Sequence, residues 1–191
     1  MRKFPACLAV ALLTFPVPAL SQLPTASLPA PPQQMLEAML LYSEQGDFDK
    51  AARVLKKMAP LLDELNAAYG IDLADGARNA LKKGDAWEAQ TAVLKVVYYH
   101  MKLELAAALK ARGRQAVVRL RMAYLDYLFL APRLKRKDKK LAAEVEKGFK
   151  SVHNLLASGR TAAGAQDEAA FHVREIERIC LSSTEADSGQ L

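Results

Sequence analysis

Five side chains in this chain have the type and spacing to hold a metal ion. Glu168, His172 and Glu175 stand at i, i+4 and i+7, so a helix would carry all three on one face, and His100 with Glu104 makes a second i, i+4 pair. Imidazole and carboxylate together suit iron, manganese or zinc, and a helical bundle that turns two such stripes toward each other builds a four-ligand site in its interior. Glu168 lies four residues before His172, whereas di-iron bundles use a separation of three. His100, His153 and His172 are the whole histidine complement, which leaves little material for a larger site. The simpler reading of either stripe is a polar helix face turned to water.

A second chemistry needs methionine. Met35 or Met39 near the start and His172 near the end offer the ligand pair that a noncovalent b-type haem takes in a four-helix bundle. No Cys-x-x-Cys-His haem attachment, no Gly-rich phosphate loop and no Ser or Cys nucleophile beside a plausible base occurs, so no catalysis is expected. The most conspicuous charge feature is Lys110–Lys140, with eleven Lys or Arg against Asp126 and Asp138. Such a block attracts phosphate, an anionic surface or an acidic partner. Its aromatics, Tyr124, Tyr127 and Phe129, recur at helical spacing that suits a core, and nucleic acid is not an expected partner.

The elements that must position these groups are helices. Composition from Gln34 to about Leu181 is rich in Leu, Ala, Met, Glu and Lys, and no alternating β-branched run has a hairpin turn beside it. Asp85–Ala111 holds no Pro and no Gly, and Leu94, Val97, Met101, Leu105 and Ala108 recur along it at steps of three and four. That pattern predicts a long central helix (85-111) with one core face and one wet face, ended by Gly113. Around it the punctuation predicts helices over Gln34–Glu44, Phe48–Tyr69, Asp72–Lys83, Arg114–Ala131, Lys139–Ala157 and Thr161–Leu181. Pro60 should kink or split the second of these, and Pro132 with the charged run after it should end the fourth. The expected fold is an all-α helical bundle of about six to seven helices, forming a single domain over 34–181.

The first residues point to export. Arg2 and Lys3, the apolar run Ala6–Phe15 and the small residues around Ser21 have the three parts of a cleaved signal peptide (1–21), so the expected location is the periplasm. The run is shorter than the ~20 apolar residues that span a bilayer. Residues 22–33, uncharged and holding Pro24, Pro29, Pro31 and Pro32, read as a flexible leader, and 182–191 as a loose tail. Removing the signal leaves Cys180 alone, so the fold must hold by packing rather than by a disulfide; a half-buried thiol is expected there, with pairing between chains as the alternative.

Two resemblances enter at this point. Tyr42-x3-Gly46-Asp47-Phe48-x2-Ala51 resembles the middle of a tetratricopeptide repeat, and Gly84-Asp85-Ala86-Trp87-Glu88-Ala89 echoes it, though at a spacing of 38 residues rather than the family's ~34. Ala123-Tyr124-Leu125-Asp126, followed by Pro132-x-Leu134-x3-Asp138-x2-Leu141-x3-Val145-Glu146-x2-Phe149, resembles the helical periplasmic domain of bacterial high-affinity iron permeases, over about Met122–Leu156. That family tends to be acidic where this chain has Tyr127–Ala131, and its membrane helices are absent here. The resemblance implies a context of iron uptake and an envelope partner such as a membrane metal transporter. The expected function is therefore a non-catalytic, exported binding or scaffold component in iron handling, and the alternative is a tetratricopeptide-like adaptor that holds another protein without metal.

Overall fold

The computed structural model describes residues 31–158, 163–182 and 184. The expected signal peptide, most of the leader and most of the tail lie outside the described residues. Eight helices are found among those described: α1 (Pro31–Glu44), α2 (Phe48–Lys57), α3 (Ala59–Tyr69), α4 (Leu73–Lys83), α5 (Ala86–Lys110), α6 (Gly113–Lys137), α7 (Lys139–Ala157) and α8 (Ala163–Leu181). No strand occurs among the described residues, so the all-α expectation holds.

Short polar side chains start four of these helices by satisfying amides that have no intrahelical partner. Asp47 accepts from the Lys50 amide at 3.3 Å, Asp72 from Asp75 at 2.9 Å, Asp85 from Glu88 at 2.8 Å and Asp138 from Lys140 at 2.7 Å. The echoed Gly-Asp pairs are the same device used twice. Gly46 and Gly84 take φ of +73° and +71°, a conformation that costs a side-chain-bearing residue, and the Asp after each caps the next helix. Ala51 and Ala89 are then fully buried, and the Phe48 ring packs over Gly84 at 3.7 Å from where a Cβ would stand.

α5 is the post around which the rest is arranged. It packs on α1, α3, α4, α6 and α8, and from Ala89 to Leu109 only Lys95 is exposed. Leu94, Val97, Met101, Leu105 and Ala108 are buried as expected, and of the expected wet residues Glu88, Lys95 and Lys110 are exposed and Lys102 half-buried, but the wet face is a narrow strip: Val93, Val96, Tyr98, His100 and Glu104 are buried too. α6 runs antiparallel beside it after a tight corner, and α7 and α8 pack mainly on each other and on α6 and α5.

Four boundaries differ from expectation. α1 begins at Pro31, inside the expected leader, because proline suits a first helical turn, where its missing amide costs nothing. Gly113 opens α6 with φ +55° instead of merely ending α5. α6 continues through Pro132 to Lys137. Pro132 is exposed while Leu130, Ala131 and Leu134 are buried, so the carbonyl that loses its partner lies on the side open to water and packing holds the helix together. Pro60, by contrast, stands at the start of α3 and splits the expected helix as predicted. Last, the tail does not loosen at Ser182: its hydroxyl donates to the Ile179 carbonyl at 2.7 Å, and Thr184, buried, donates to Leu181 at 2.9 Å.

Two substitutions test this packing. Leu105→Ala, at a fully buried position on α5, should lower stability by about 2–5 kcal/mol in urea unfolding. Gly148 lets α7 approach α8 so closely that a Cβ would lie 3.0 Å from Ile176 Cγ1, so Gly148→Val should cost about 1–3 kcal/mol. Unchanged midpoints would contradict the central position of α5 and the close α7–α8 contact, respectively.

Candidate functional site

A helix buried on nearly every side must satisfy its polar groups internally, and His100 is where α5 does so. It is 3% exposed, and its Nδ1 lies 2.7 Å from Oδ2 of Asp126 on α6. Asp126 is fully buried and also accepts from Gln33 Nε2 of α1 at 3.2 Å. On the other side of the ring, His100 Nε2 lies 3.9 Å from Glu104 Oε1, and both Glu104 oxygens accept from Arg119 Nη1 of α6, at 2.9 and 3.2 Å. The result is one polar chain, Gln33–Asp126–His100–Glu104–Arg119, that ties α1, α5 and α6 together.

The electrostatics follow from burial and pairing. Burial works to lower His100, but the hydrogen bond to Asp126 and the charges of Asp126, Glu104 and Glu64 outweigh it, so the imidazole holds its proton above the ordinary range. Burial raises Asp126 and Glu104, each against the pull of its cationic partner. The His100–Asp126 pair therefore shares one proton and keeps it to higher pH than a free imidazole would.

The expectation that His100 stands on a solvated face is thus corrected. Its stripe-mate Glu104 is buried with it, because α5 lies between neighbours instead of at the surface. The geometry suits holding a proton better than gripping an ion. Asp126 and Glu104 approach opposite nitrogens of the ring, and Arg119 already occupies both Glu104 oxygens. Among the described residues no three His, Cys, Asp or Glu side chains converge on one point.

The second stripe is placed differently. α8 buries Ala169, Val173, Ile176, Ile179 and Cys180, which leaves Glu168 exposed and His172 and Glu175 half-buried. His172 stands edge-on to Phe171 with ring centroids 5.6 Å apart. Glu175 accepts from Arg178 Nη2 at 2.8 Å and is held below the usual carboxylate range by that hydrogen bond. The two expected halves of a metal site are therefore not brought together. Of the haem candidates, Met39 is buried and Met35 partly buried on α1, which packs along α2 and α5, and His172 belongs to α8, which packs along α7 and α5. Cys180 is fully buried rather than half-buried, and burial pushes its thiol up to about 12.

Sequence reasoning missed Asp126, Arg119 and Gln33 as members of the cluster. A signal existed for Asp126, which continues the buried α6 stripe Leu120, Ala123, Leu130, Leu134 at steps of three and four. Two surface depressions, of about 430 and 230 Å³, lie at the α5–α6 corner. Arg114, Val118 and Arg119 line the first, Leu109, Gly113 and Gln166 the second, and neither reaches His100, Glu104, His172 or Glu175. Comparison with protein-family models, with curated proteins and with solved structures found no significant match to this chain.

The cluster predicts how stability depends on pH. His100, Asp126 and Glu104 are all raised, so the folded chain keeps protons that the unfolded chain has released. Their contribution is complete below the unfolded values, about 4 for the carboxyls and about 6.5 for the imidazole, and is lost as pH rises through the folded values. The melting temperature should therefore fall as pH rises through and above the ordinary imidazole range of about 6.5. Asp126→Asn should flatten that fall and lower stability by ~3–5 kcal/mol, the cost of breaking a buried pair. Independently of that variant, the His100 ring resonance in the native protein should titrate above the ordinary imidazole value. Titration at or below it would refute the shared-proton pair.

Proposed function

We propose that this chain is a non-catalytic helical binding or scaffold component of the cell envelope, exported behind Met1–Ser21 and serving iron handling. One observation carries the scaffold part: the side chains with the chemistry of a catalytic site, His100, Asp126 and Glu104, are turned inward and answered by one another and by Arg119 and Gln33. Their work is to fix α1 and α6 on α5. The iron context comes from the resemblance over Met122–Leu156, and the export reading from the first 21 residues. No helix among the described residues is long and apolar enough to cross a membrane, which agrees with an accessory rather than a transporter.

A second reading, a tetratricopeptide-like adaptor without metal, draws on a separate observation. The Gly46-Asp47 and Gly84-Asp85 turns share one geometry and touch through Phe48, as adjacent helical hairpins do. Metal content separates the two. A divalent ion held by Glu168, His172 and Glu175 would draw Glu175 off Arg178, an exposed pair that an ion can displace. Elemental analysis of protein purified from its native compartment should then find iron, and His172→Ala with Glu175→Ala should lose it without losing helical content. Protein that carries no iron and binds none at tens of micromolar gives the adaptor reading. N-terminal sequencing should begin at Gln22, and retention of Met1 would overturn export.

A further inference from the structure

The outward side of α6 carries a row of apolar residues. Val118, Met122, Leu125, Leu128 and Pro132 follow one another at steps of three and four. Val118 and Leu128 are each 46% exposed, Pro132 is exposed, and Met122 and Leu125 are half-buried. None of the five packs against the core cluster that takes in Leu120, Ala123, Tyr127, Leu130 and Leu134 from the opposite side of the helix. Over the ~1.5 Å rise of each residue the stripe runs roughly 20 Å.

Charge on this face has one sign. Arg114, Arg121 and Arg136 share it, all exposed and none in an ion pair with a carboxylate among the described residues. The remaining cations of the helix lie at its flanks with partners: Arg119 on Glu104, Lys135 on Glu146 at 3.1 Å, Arg133 over the Trp87 ring at 3.9 Å and bonded to Thr91, and Lys137 on the Ser182 carbonyl at 3.1 Å. Asp126, the single acidic residue of α6, points the other way and is fully buried. Trp87, 48% exposed at the flank, adds an amphipathic ring of the kind that settles at water–lipid boundaries.

We propose that this face of α6 is a peripheral docking surface for a bilayer carrying anionic headgroups, with Val118, Met122, Leu125, Leu128 and Pro132 entering the interface and Arg114, Arg121 and Arg136 meeting the headgroups. The inference rests on the envelope-scaffold reading and names what the scaffold is held against. Charge selects the occupant: an apolar helix face flanked by exposed arginines without carboxylate partners has the pattern of an amphipathic helix that lies in an anionic bilayer interface. Long arginine stems cover apolar surface while their guanidinium groups stay with the headgroups. A second copy of this chain would bring the same three arginines against themselves. Without Met1–Ser21 the chain still carries 25 Lys and Arg against 21 Asp and Glu, a surplus that steers it toward an anionic surface over a range set by salt.

Vesicle co-sedimentation tests this with the exported form of the chain, beginning at Gln22, and two lipid compositions, phosphatidylcholine alone and phosphatidylcholine with phosphatidylglycerol. Binding should appear with the anionic vesicles and weaken with added salt. Leu125→Glu with Leu128→Glu should abolish it, and Arg121→Glu with Arg136→Glu should weaken it at least about ten-fold. Phe171→Glu, at an exposed apolar position on α8, should leave it unchanged. All variants keep the same N-terminal segment, so a loss caused by α6 cannot come from there, and unchanged helical content and melting temperature show that each is folded. No binding to anionic vesicles at low salt overturns the proposal. So does equal binding to both compositions, equal loss in Phe171→Glu, or a dimer in solution that Leu128→Glu dissolves. The scaffold reading stands or falls separately, on metal content and on the N-terminus.

Discussion

The burial of α5 on nearly every side is the constraint from which the rest of the structure follows. A helix in that position keeps only a narrow wet strip, marked by Glu88, Lys95, Lys102 and Lys110, yet its sequence carries His100 and Glu104 on the buried sides. An unpaired buried charge costs far more than a single domain can spare. The neighbours must therefore supply partners, and they do so from fixed positions: Asp126 and Arg119 from α6, Gln33 from α1. Because each partner fits one register of α6 and of α1 against α5, the cluster selects an arrangement that apolar packing alone would leave open to sliding.

The same constraint explains why composition and punctuation made the architecture legible while the site stayed hidden. Proline, glycine and aspartate act locally, so Pro60, Gly46, Gly84 and the Asp47, Asp72 and Asp85 caps could be placed from their neighbours in sequence. Pro132 failed as a signal because its effect depends on which side of the helix it occupies. On the exposed side the lost hydrogen bond is made up by water, and Leu130, Ala131 and Leu134 hold the helix to the core. The start of α1 was misplaced for a related reason: prolines that read as leader also suit a first helical turn.

His100 and Glu104 were visible as an i, i+4 pair, but their meaning depends on distant residues: Arg119, 15 positions from Glu104, Asp126, 26 from His100, and Gln33, 93 from Asp126. Helical periodicity says that two side chains share a face; it cannot say what that face meets. Glu168, His172 and Glu175 show the converse. The stripe forms as the spacing requires, and α8 turns its apolar neighbours Ala169, Val173 and Ile176 inward, so the polar stripe is left at the boundary with water.

α6 joins these two lessons, because it divides charge between its sides. Its one carboxylate is buried against an imidazole, so it cannot offset the basic residues on the outward side, and the block that reads as +9 between Lys110 and Lys140 is still less balanced at the surface than in the sequence. Glu104 and Glu146 then pair with Arg119 and Lys135, and Arg133 stacks on Trp87 with its charge intact, so Arg114, Arg121 and Arg136 on the exposed apolar face stand without a carboxylate partner. An inward acid and an outward row of cations are thus two consequences of one helix packing against the post. Internal demand for a buried carboxylate sets the charge of the external face.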